Sequence, residues 1–335
     1  MTKQVTIYDV AHDAGVSIST VSNALNRPDR VSAATRERVL SAADRLGFVP
    51  KPAAVSQARR GAGCIGILAP FTAYASYYAR LTGVLTALRD TGQETRVIDI
   101  PSAAAATSPA LAASAIRGQL DGIVVMGERI EEAVERRLLE RGMPTVLVDA
   151  RSELFSVVVT DDFRGGATAA EHLLALGHRR IGYLTERQES DYDSQARQRL
   201  DGFRDALDRH GGTTLHVAAS GPTAEQARQA AHELLSADER PTAVMAHYDE
   251  LAVGALHAAR DLSLRVPEDV SVMGYDDGPA ASAAGLTTVA QPFAESGAAA
   301  VRLLLSRMAD PRAPRTVTVL DCSLVTRGTT GTVPS

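Results

Sequence analysis

Short apolar runs alternate with longer amphipathic stretches along most of the chain, and this alternation constrains the fold more than any other feature. The apolar runs are 64–69, 95–100, 121–126, 144–149, 156–160, 180–184, 213–218, 242–246, 269–274 and 316–320. The amphipathic stretches between them include 77–90, 130–141, 164–176, 194–210, 223–235, 249–262 and 293–308. Strands alternating with helices predict parallel sheets covered by helices on both faces. Because 335 residues exceed one comfortable core, we expect two such α/β lobes.

The first 47 residues follow a different pattern, in which helical spacing replaces the strand–helix alternation. Thr6 and Asp9 form a predicted capping box, Gly15 ends the first helix, and Ser17 begins a second one. A third helix is predicted over 32–46, with an inner face of Val39, Leu40, Ala43 and Leu46. Two short helices joined by a tight turn containing glycine are typical of a helix-turn-helix unit, and the third helix completes its small core.

Charge separates this predicted head from the rest of the chain. Residues 1–60 contain nine Lys or Arg and five Asp or Glu, so their net charge is +4 within a chain of net charge −5. The remaining residues therefore carry −9. A basic head on an acidic body favours a polyanionic partner for the head.

The second predicted helix presents short polar side chains. In "AGVSISTVSNALN" (14–26), Val21 and Leu25 face inward, which leaves outward Ser17, Ile18, Ser19, Ser22, Asn23 and Asn26. Hydroxyl and amide groups can donate to phosphate oxygens, and Ile18, Ser19 and Asn23 could reach base edges in the major groove of DNA. The pattern therefore predicts a DNA-reading helix.

The stretches "VTIYDVAHDAGVSISTVSNALN" and "RVSAATRERVLSAADRLGFVPKP" resemble the start of the LacI/GalR (lac repressor) family of bacterial transcription regulators. The resemblance continues through nearly the whole chain. It implies a homodimer that binds double-stranded operator DNA and responds to a small effector. It places base-reading at Ile18, Ser19 and Asn23, and contacts to the DNA backbone at Thr6, Ser17, Thr20, Ser22, Asn26 and Ser32.

The same resemblance implies a fold class and a division of the chain. We expect a small all-α helix-turn-helix head and a two-lobed α/β body like a periplasmic sugar-binding protein, with chain crossings near 161, 290 and 321. The implied units are the head (1–47), a hinge helix or linker (48–62), an N-terminal lobe (63–160 plus 291–320) and a C-terminal lobe (161–290 plus 321–335). The family's minor-groove leucine position holds Gln57, so Val55, Ser56 and Gln57 are the hinge candidates.

Polar residues follow several predicted strands of the body. Ligands of two-lobed α/β proteins sit at the carboxyl ends of strands, and an Asp facing an Arg suits a polyhydroxylated ligand. By resemblance, Arg199 and Asp276 match effector contacts, Tyr248 replaces a common Asn, and Asp249 matches the acid beside it. The predicted effector set is Tyr77, Tyr78, Arg199, Tyr248, Asp249 and Asp276. Other interpretations stay open: a structural Arg199–Asp276 ion pair between the lobes, Asp249 as a helix cap, and both tyrosines as ordinary packing.

Several other classes of function are disfavoured. The sequence has no nucleophile elbow, H-E-x-x-H, P-loop or Cys/His cluster, so we expect no enzyme activity, cofactor or metal. The G-x-G-x-x-G match at 61–66 precedes and overlaps a strand, whereas dinucleotide binding needs it after one. No stretch matches a membrane helix or signal-peptide core, which favours a cytoplasmic protein over a transport component. The effector could be a sugar derivative that induces, or a nucleobase or other metabolite that acts as corepressor.

Overall fold

A computed structural model describes residues 5–26, 30–46, 48, 63–100, 120–128, 130–187 and 195–333. Its N-terminal head contains three helices: α1 (Ile7–Ala14), α2 (Ile18–Asn26) and α3 (Ala33–Leu46). Their buried apolar side chains form one small core, made of Val10, Ala11, Ala14, Val21, Ala24, Val39, Ala42 and Ala43. The helices form because apolar residues recur at helical spacing, and the core holds them because all three contribute to it.

The predicted start and end of α1 are both present. The backbone N and the Oγ1 of Thr6 donate to Asp9 Oδ2 at 2.8 and 2.6 Å. Gly15 adopts a left-handed conformation with φ of 62°, and its N–H bonds back to the last turn. Glycine tolerates that conformation without steric cost, which fixes the tight turn before α2.

The prediction for the inner face of α3 was wrong at one position. Ala42 is fully buried, whereas Leu40 is only partly buried and does not join the core of the head. The helical period explains the difference, because Val39, Ala42, Ala43 and Leu46 follow the i, i+3, i+4, i+7 pattern. Leu40, one residue after Val39, is turned by about 100° away from that stripe.

In the residues that the structure describes, the body contains two six-stranded sheets. The first sheet has the order β11-β5-β4-β3-β1-β2, and its strands are β1 (Cys64–Ala69), β2 (Glu94–Asp99), β3 (Gly122–Met126), β4 (Thr145–Val148), β5 (Ser156–Thr160) and β11 (Val317–Leu320). The second has the order β12-β10-β9-β8-β6-β7, and its strands are β6 (Arg180–Glu186), β7 (Thr214–Ser220), β8 (Ala243–Ala246), β9 (Ser271–Asp276), β10 (Thr287–Ala290) and β12 (Ser323–Val325). Neighbouring strands are parallel except β10 and β12.

Helices cover both sheets. They are α4 (Ser76–Leu88), α5 (Glu132–Glu140), α6 (Asp162–Ala175), α7 (Gln195–His210), α8 (Ala224–Leu235), α9 (Asp249–Asp261), α10 (Pro279–Ala284) and α11 (Phe293–Ala309). We call the first sheet with α4, α5 and α11 lobe one, and the second sheet with α6–α10 lobe two. Each lobe has apolar clusters on both faces of its sheet, as a doubly wound fold requires. The predicted fold class, a helix-turn-helix head with a two-lobed α/β body, is confirmed.

The chain passes between the two lobes three times. It leaves the first sheet after β5, returns after β10 and leaves again after β11. Each passage brings the carboxyl end of a strand next to the other lobe, because parallel strands within a sheet end at one edge. Among the described helices, none is both long and apolar enough to cross a membrane.

The sequence did not predict the strands β10 and β12 or the helix α10. β10 begins with Thr287 and Thr288, whose polarity hides a strand that is nearly fully buried. Thr288 Oγ1 donates to Asp249 Oδ1 at 2.7 Å, and Thr287 N donates to Thr329 Oγ1 at 2.9 Å. Burial of these threonines is stable because each polar group has a partner from a distant part of the chain, which the local pattern does not reveal.

Candidate functional site

The outer surface of α2 displays the residues proposed to read bases. Ile18 is 41% exposed, and Ser19 is also exposed. Asn23 is partly exposed one turn further on. Val21 and Ala24 are buried on the opposite side of α2. The solvent-facing side therefore carries both polar and apolar side chains. Such a helix fits the major groove in size and chemistry.

The residues predicted to contact phosphates lie at or near helix starts. The backbone N of Thr20 donates to Ser17 Oγ at 3.1 Å, and Thr35 N donates to Ser32 Oγ at 3.2 Å. Thr6, Ser17 and Ser32, which precede the three helices, are all exposed. Helix N-termini attract anions through their free N–H groups and their dipole.

The other residues predicted to contact DNA are less exposed or lie outside the described residues. Thr20 and Ser22 of α2 are partly buried. The side chain of Asn26 and the hinge candidates Val55, Ser56 and Gln57 lie outside the described residues.

In the body, Arg199 is a buried charged group with several partners. It lies in the first turns of α7, and 6% of its side chain is exposed. Its Nε and Nη2 donate to Asp162 Oδ1 at 3.0 and 2.8 Å, and its Nη1 donates to the carbonyl of His247. The guanidinium also stacks on the ring of Tyr275, 3.6 Å from its centre. Three elements of lobe two therefore fix this guanidinium in one orientation.

Asp276 stands beside Arg199 at the end of β9. Its Oδ1 lies 4.0 Å from Arg199 Nη1 and accepts a hydrogen bond from Gln291 Nε2 at 2.6 Å. The residue has a φ of 107°, a strained conformation that is most common at functional sites. Burial raises the pKa of Asp276 to about 7, although Arg199 and Gln291 oppose that rise. Both residues belong to lobe two, so their ion pair does not join the lobes.

Lobe one contributes a second buried ion pair, between Arg80 of α4 and Asp149 after β4. Both side chains are 4% exposed. The Arg80 guanidinium lies over the rings of Phe293 and Tyr77, 4.3 and 5.4 Å from their centres. Burial raises the pKa of Asp149, whereas the nearby charge of Arg80 lowers it. Sequence reasoning missed this pair, because nothing local links positions 80 and 149.

Among the described residues, two hydrogen bonds join the lobes at these groups. Tyr74 OH donates to Glu186 Oε1 at 3.2 Å, and Gln195 Nε2 donates to the carbonyl of Asp149. Glu186 has a raised pKa because it is buried, with Tyr74 opposing the rise. Asp149, Asp162 and Gln195 line a cavity of about 970 Å³, whose walls come from both lobes. The charged groups therefore surround the place where the lobes meet.

The two adjacent tyrosines predicted as effector contacts face different surroundings. Tyr77 is buried, and its ring contacts the guanidinium of Arg80 and the ring of Tyr74. Tyr78 is 54% exposed and packs on Phe71, with ring centres 5.6 Å apart. Only Tyr77 joins the cluster where the lobes meet.

The side chains of Tyr248 and Asp249 also have different surroundings. The ring of Tyr248 packs edge-on against Tyr74 at 6.5 Å, which brings it to the lobe–lobe contact, and its OH donates to the carbonyl of Pro222. Asp249 is 1% exposed, and its two oxygens accept from Gly278 N at 2.7 Å and from Thr288 Oγ1. Asp249 is the first residue of α9 and not its N-cap. It holds the loop after β9 in place, with a pKa raised to about 8 by burial.

Sequence reasoning therefore found one half of this site. It named Arg199, Asp276, Tyr248 and Tyr77 as effector contacts, and it placed Tyr74 at the end of a strand in the cleft. It missed groups that are recognisable only from their contacts: Arg80, Asp149, Glu186, Gln195 and Gln291. Asp162 follows a strand and begins a helix, a position from which the sequence predicts a helix cap or a ligand contact. In the described part of the chain, no group of three or more His, Cys, Asp or Glu could hold a metal ion.

Comparison with known proteins agrees with this architecture. Residues 6–51 match the family model described as "Bacterial regulatory proteins, lacI family", and residues 170–330 match the "Periplasmic binding protein-like domain". An HTH-type transcriptional regulator of Mycobacterium tuberculosis is 35% identical, with 99% of this chain and 98% of that protein aligned.

Solved structures show the same arrangement. A LacI family regulator from Enterococcus faecium with bound ribose is 29% identical, has a TM-score of 0.71, and is matched over 80% of this chain and 98% of its own. The lac repressor dimer bound to operator and the anti-inducer ONPF is 28% identical, has a TM-score of 0.70, and is matched over 98% and 100%. The fold and the site thus define a DNA-binding transcriptional regulator with a two-lobed effector domain. This chain belongs to the lacI family of bacterial regulatory proteins.

Proposed function

We propose that this protein is a repressor that leaves a pseudo-palindromic operator when a small polyhydroxylated, sugar-like ligand binds between its lobes. The observation that carries the proposal is the convergence of guanidinium and carboxylate groups where the lobes meet, centred on Arg199, Asp162 and Asp276. A sugar hydroxyl both donates and accepts, so neighbouring hydroxyls can bond a carboxylate and a guanidinium together.

Within the predicted effector set, four residues keep this role: Tyr77, Arg199, Tyr248 and Asp276. Each belongs to the cluster at the lobe–lobe contact or lies within 4.0 Å of one of its charges. We assign Asp249 to the support of the loop after β9, and Tyr78 to packing on Phe71. Ribose bound to the Enterococcus faecium relative supports a ligand of this class.

The head supplies the DNA contacts in this proposal. Ile18, Ser19 and Asn23 read base edges, because they occupy the outer surface of α2. The predicted phosphate contacts are Thr6, Ser17, Thr20, Ser22, Asn26 and Ser32. Val55, Ser56 and Gln57 act in the hinge between head and body.

The proposed division is a head (1–47), a hinge (48–62) and two lobes (63–160 plus 291–320; 161–290 plus 321–335). The lac repressor dimer on its operator supports a homodimer that presents two heads to two half-sites. We further propose that the protein acts in the cytoplasm, where its operator is, and that it has no enzymatic activity.

The lobes provide the switch. The Tyr74–Glu186 and Gln195–Asp149 hydrogen bonds hold one relative arrangement of the lobes. A ligand that binds groups of both lobes favours the lobe arrangement in which its own hydrogen bonds to the protein are most complete. Because the hinge directly precedes lobe one in the chain, a change in lobe arrangement alters the placement of the two heads, and affinity for DNA changes with it.

The test combines an operator selection with a ligand screen. Full-length protein is used to select genomic DNA at low salt, and the enriched site is expected to be two-fold symmetric, roughly 14–20 base pairs long and salt-sensitive. Sugars, nucleosides and organic acids are then screened by thermal shift. A sugar that raises the melting temperature and releases the DNA supports the proposal. A nucleobase or other metabolite that strengthens DNA binding instead would establish the corepressor alternative.

A further inference from the structure

Arg80 and Arg199 begin the same short motif on matching helices of the two lobes. The motif reads Arg-Leu-Thr-Gly at 80–83 in α4 and Arg-Leu-Asp-Gly at 199–202 in α7. A Cβ at Gly83 would overlap the carbonyl of Ala294 in α11, and a Cβ at Gly202 would overlap the carbonyl of Phe163 in α6. The two lobes thus pack these helix pairs by the same close backbone approach.

The approach is reciprocal in both lobes. A Cβ at Gly297 of α11 would overlap the carbonyl of Arg80, just as a Cβ at Gly166 of α6 would overlap the carbonyl of Arg199. These contacts place the two arginines at equivalent positions on equivalent helices. Lobe one therefore contains a structural counterpart of the arginine already assigned to the effector site.

The surroundings of the two guanidinium groups also match. Each bonds a buried aspartate and lies over an aromatic ring: Arg199 over Tyr275 and Arg80 over Phe293. In each lobe, an aspartate at the end of the fourth strand has positive φ, 53° at Asp149 and 107° at Asp276. The second passage between lobes touches both centres, since Gln291 bonds Asp276 and Phe293 stacks on Arg80.

One difference between the arginines points to a ligand. Arg199 uses its Nε, Nη1 and Nη2 as donors to the protein. Arg80 donates through Nη2 to Asp149, but its Nε is buried and has no acceptor among the described residues. A buried donor without a partner costs about 1–3 kcal/mol, so a site of this kind favours a ligand that completes the bond.

We infer that Arg80 is a ligand-contacting, specificity-determining residue of lobe one, whose Nε–H donates to an acceptor oxygen of the effector. The inference rests on the proposed function, since it uses the same effector site. The charge of Arg80 is already balanced by Asp149, and its Nε–H is a buried donor that has no acceptor among the described residues. The acceptor is therefore an uncharged oxygen, a hydroxyl, ring or carbonyl oxygen, because a phosphate or carboxylate would also face the Asp149 carboxylate.

The experiment measures ligand affinity in variants that separate this contact from the ion pair. D-ribose, cellobiose, a nucleoside set and ribose 5-phosphate are tested on the full-length wild type, and the best ligand is titrated by calorimetry. Arg80→Lys keeps a positive charge beside Asp149 but removes the Nε–H. The double variant Arg80→Met with Asp149→Asn removes both charges, so that no buried charge is left alone. Arg265→Met, which breaks an exposed pair with Asp269, is the control.

We expect both Arg80 variants to bind the best ligand roughly 10- to 100-fold more weakly, the effect of one lost charge-assisted hydrogen bond. Arg265→Met should bind as the wild type does. Deoxy analogues sharpen the test: removal of one oxygen should weaken wild-type binding, and Arg80→Lys should no longer distinguish that analogue from the parent ligand.

Three results would overturn the inference. Variants that melt at lower temperature but keep wild-type affinity would reduce Arg80 to a structural partner of Asp149. Tighter binding of ribose 5-phosphate than of the neutral ligands would contradict the uncharged acceptor. If no compound shifts the wild-type melting temperature, the proposed function fails as well, and that outcome is distinct from the first two.

Discussion

The head and the effector site of this protein differ in how far apart in the sequence their contacting residues lie. In the head, the hydrogen bonds that begin the helices join residues three apart, as in Thr6–Asp9, and the groups proposed to contact DNA lie on one helix surface. At the lobe–lobe contact, Arg80 bonds Asp149 across 69 positions, and Tyr74 bonds Glu186 across 112. A substitution in the head should therefore affect only the helix that contains it. A substitution in the effector site should affect both the stability of the lobes and the response to ligand.

The largest expected effect comes from breaking the centre of lobe two. Asp162→Ala leaves the Arg199 guanidinium buried, with only the Asp276 carboxylate at 4.0 Å. An unpaired buried charge costs about 3–5 kcal/mol, so the free energy of unfolding should fall by that amount in urea.

The matched control for this change is Asp205→Ala, which breaks the exposed Arg209–Asp205 pair on α7. We expect it to cost less than about 1 kcal/mol. Equal losses in the two variants would contradict the view that Asp162 holds the centre of lobe two.

The next effect is a pH dependence of stability. The folded pKa of Asp276 is about 7, above its usual 3.8, because burial disfavours the ionised form. Between these values the folded protein keeps a proton that the unfolded chain has lost. The free energy of unfolding should therefore fall as pH rises from about 4 to 7, by on the order of 3 kcal/mol. Asp276→Asn should flatten this slope relative to the wild type.

Asp249 and Glu128 contribute slopes of the same sign, because burial raises their pKa values to about 8 and about 7. Only the difference between variant and wild type is therefore informative. Asp208→Asn, a change at an exposed position of α7, is the control. An unaltered slope in Asp276→Asn would show that this carboxyl group ionises normally.

A smaller effect is expected in the head, where one base contact can be removed without touching the lobes. Asn23→Ala should change the preferred base at one operator position, at a cost of about 1–3 kcal/mol. Arg36→Ala, at an exposed position of α3, should weaken all sequences alike if it approaches phosphate. Binding-site selection with each variant measures both. A uniform loss from Asn23→Ala would mean that α2 is oriented differently on DNA.

The smallest effect concerns the start of α1. Thr6→Ala removes the hydroxyl that donates to Asp9, and a lost helix cap costs about 1 kcal/mol. Hydrogen exchange on the full chain should show faster exchange for the amides of α1 and no change for those of α7. Faster exchange in α7 would indicate that head and lobes unfold as one unit.

Local sequence patterns were enough to predict the fold class and the organisation of the head. Alternating apolar runs predicted two parallel-sheet lobes, and caps with helical spacing predicted α1 and α2, because these signals act over a few residues. The positions of Arg199 near a helix start and of Asp276 at a strand end predicted polar groups at the sheet edge where ligands bind, and the family resemblance selected these two as effector contacts.

How these groups are used depends on contacts between distant parts of the chain. The tertiary structure paired Arg199 mainly with Asp162, gave Asp249 a supporting role, buried the polar strand β10, and placed Arg80 opposite as a second arginine centre. None of these follows from local pattern. A buried charge or hydroxyl is stable only when a partner reaches it, and here the partners lie tens of residues or more away in the chain.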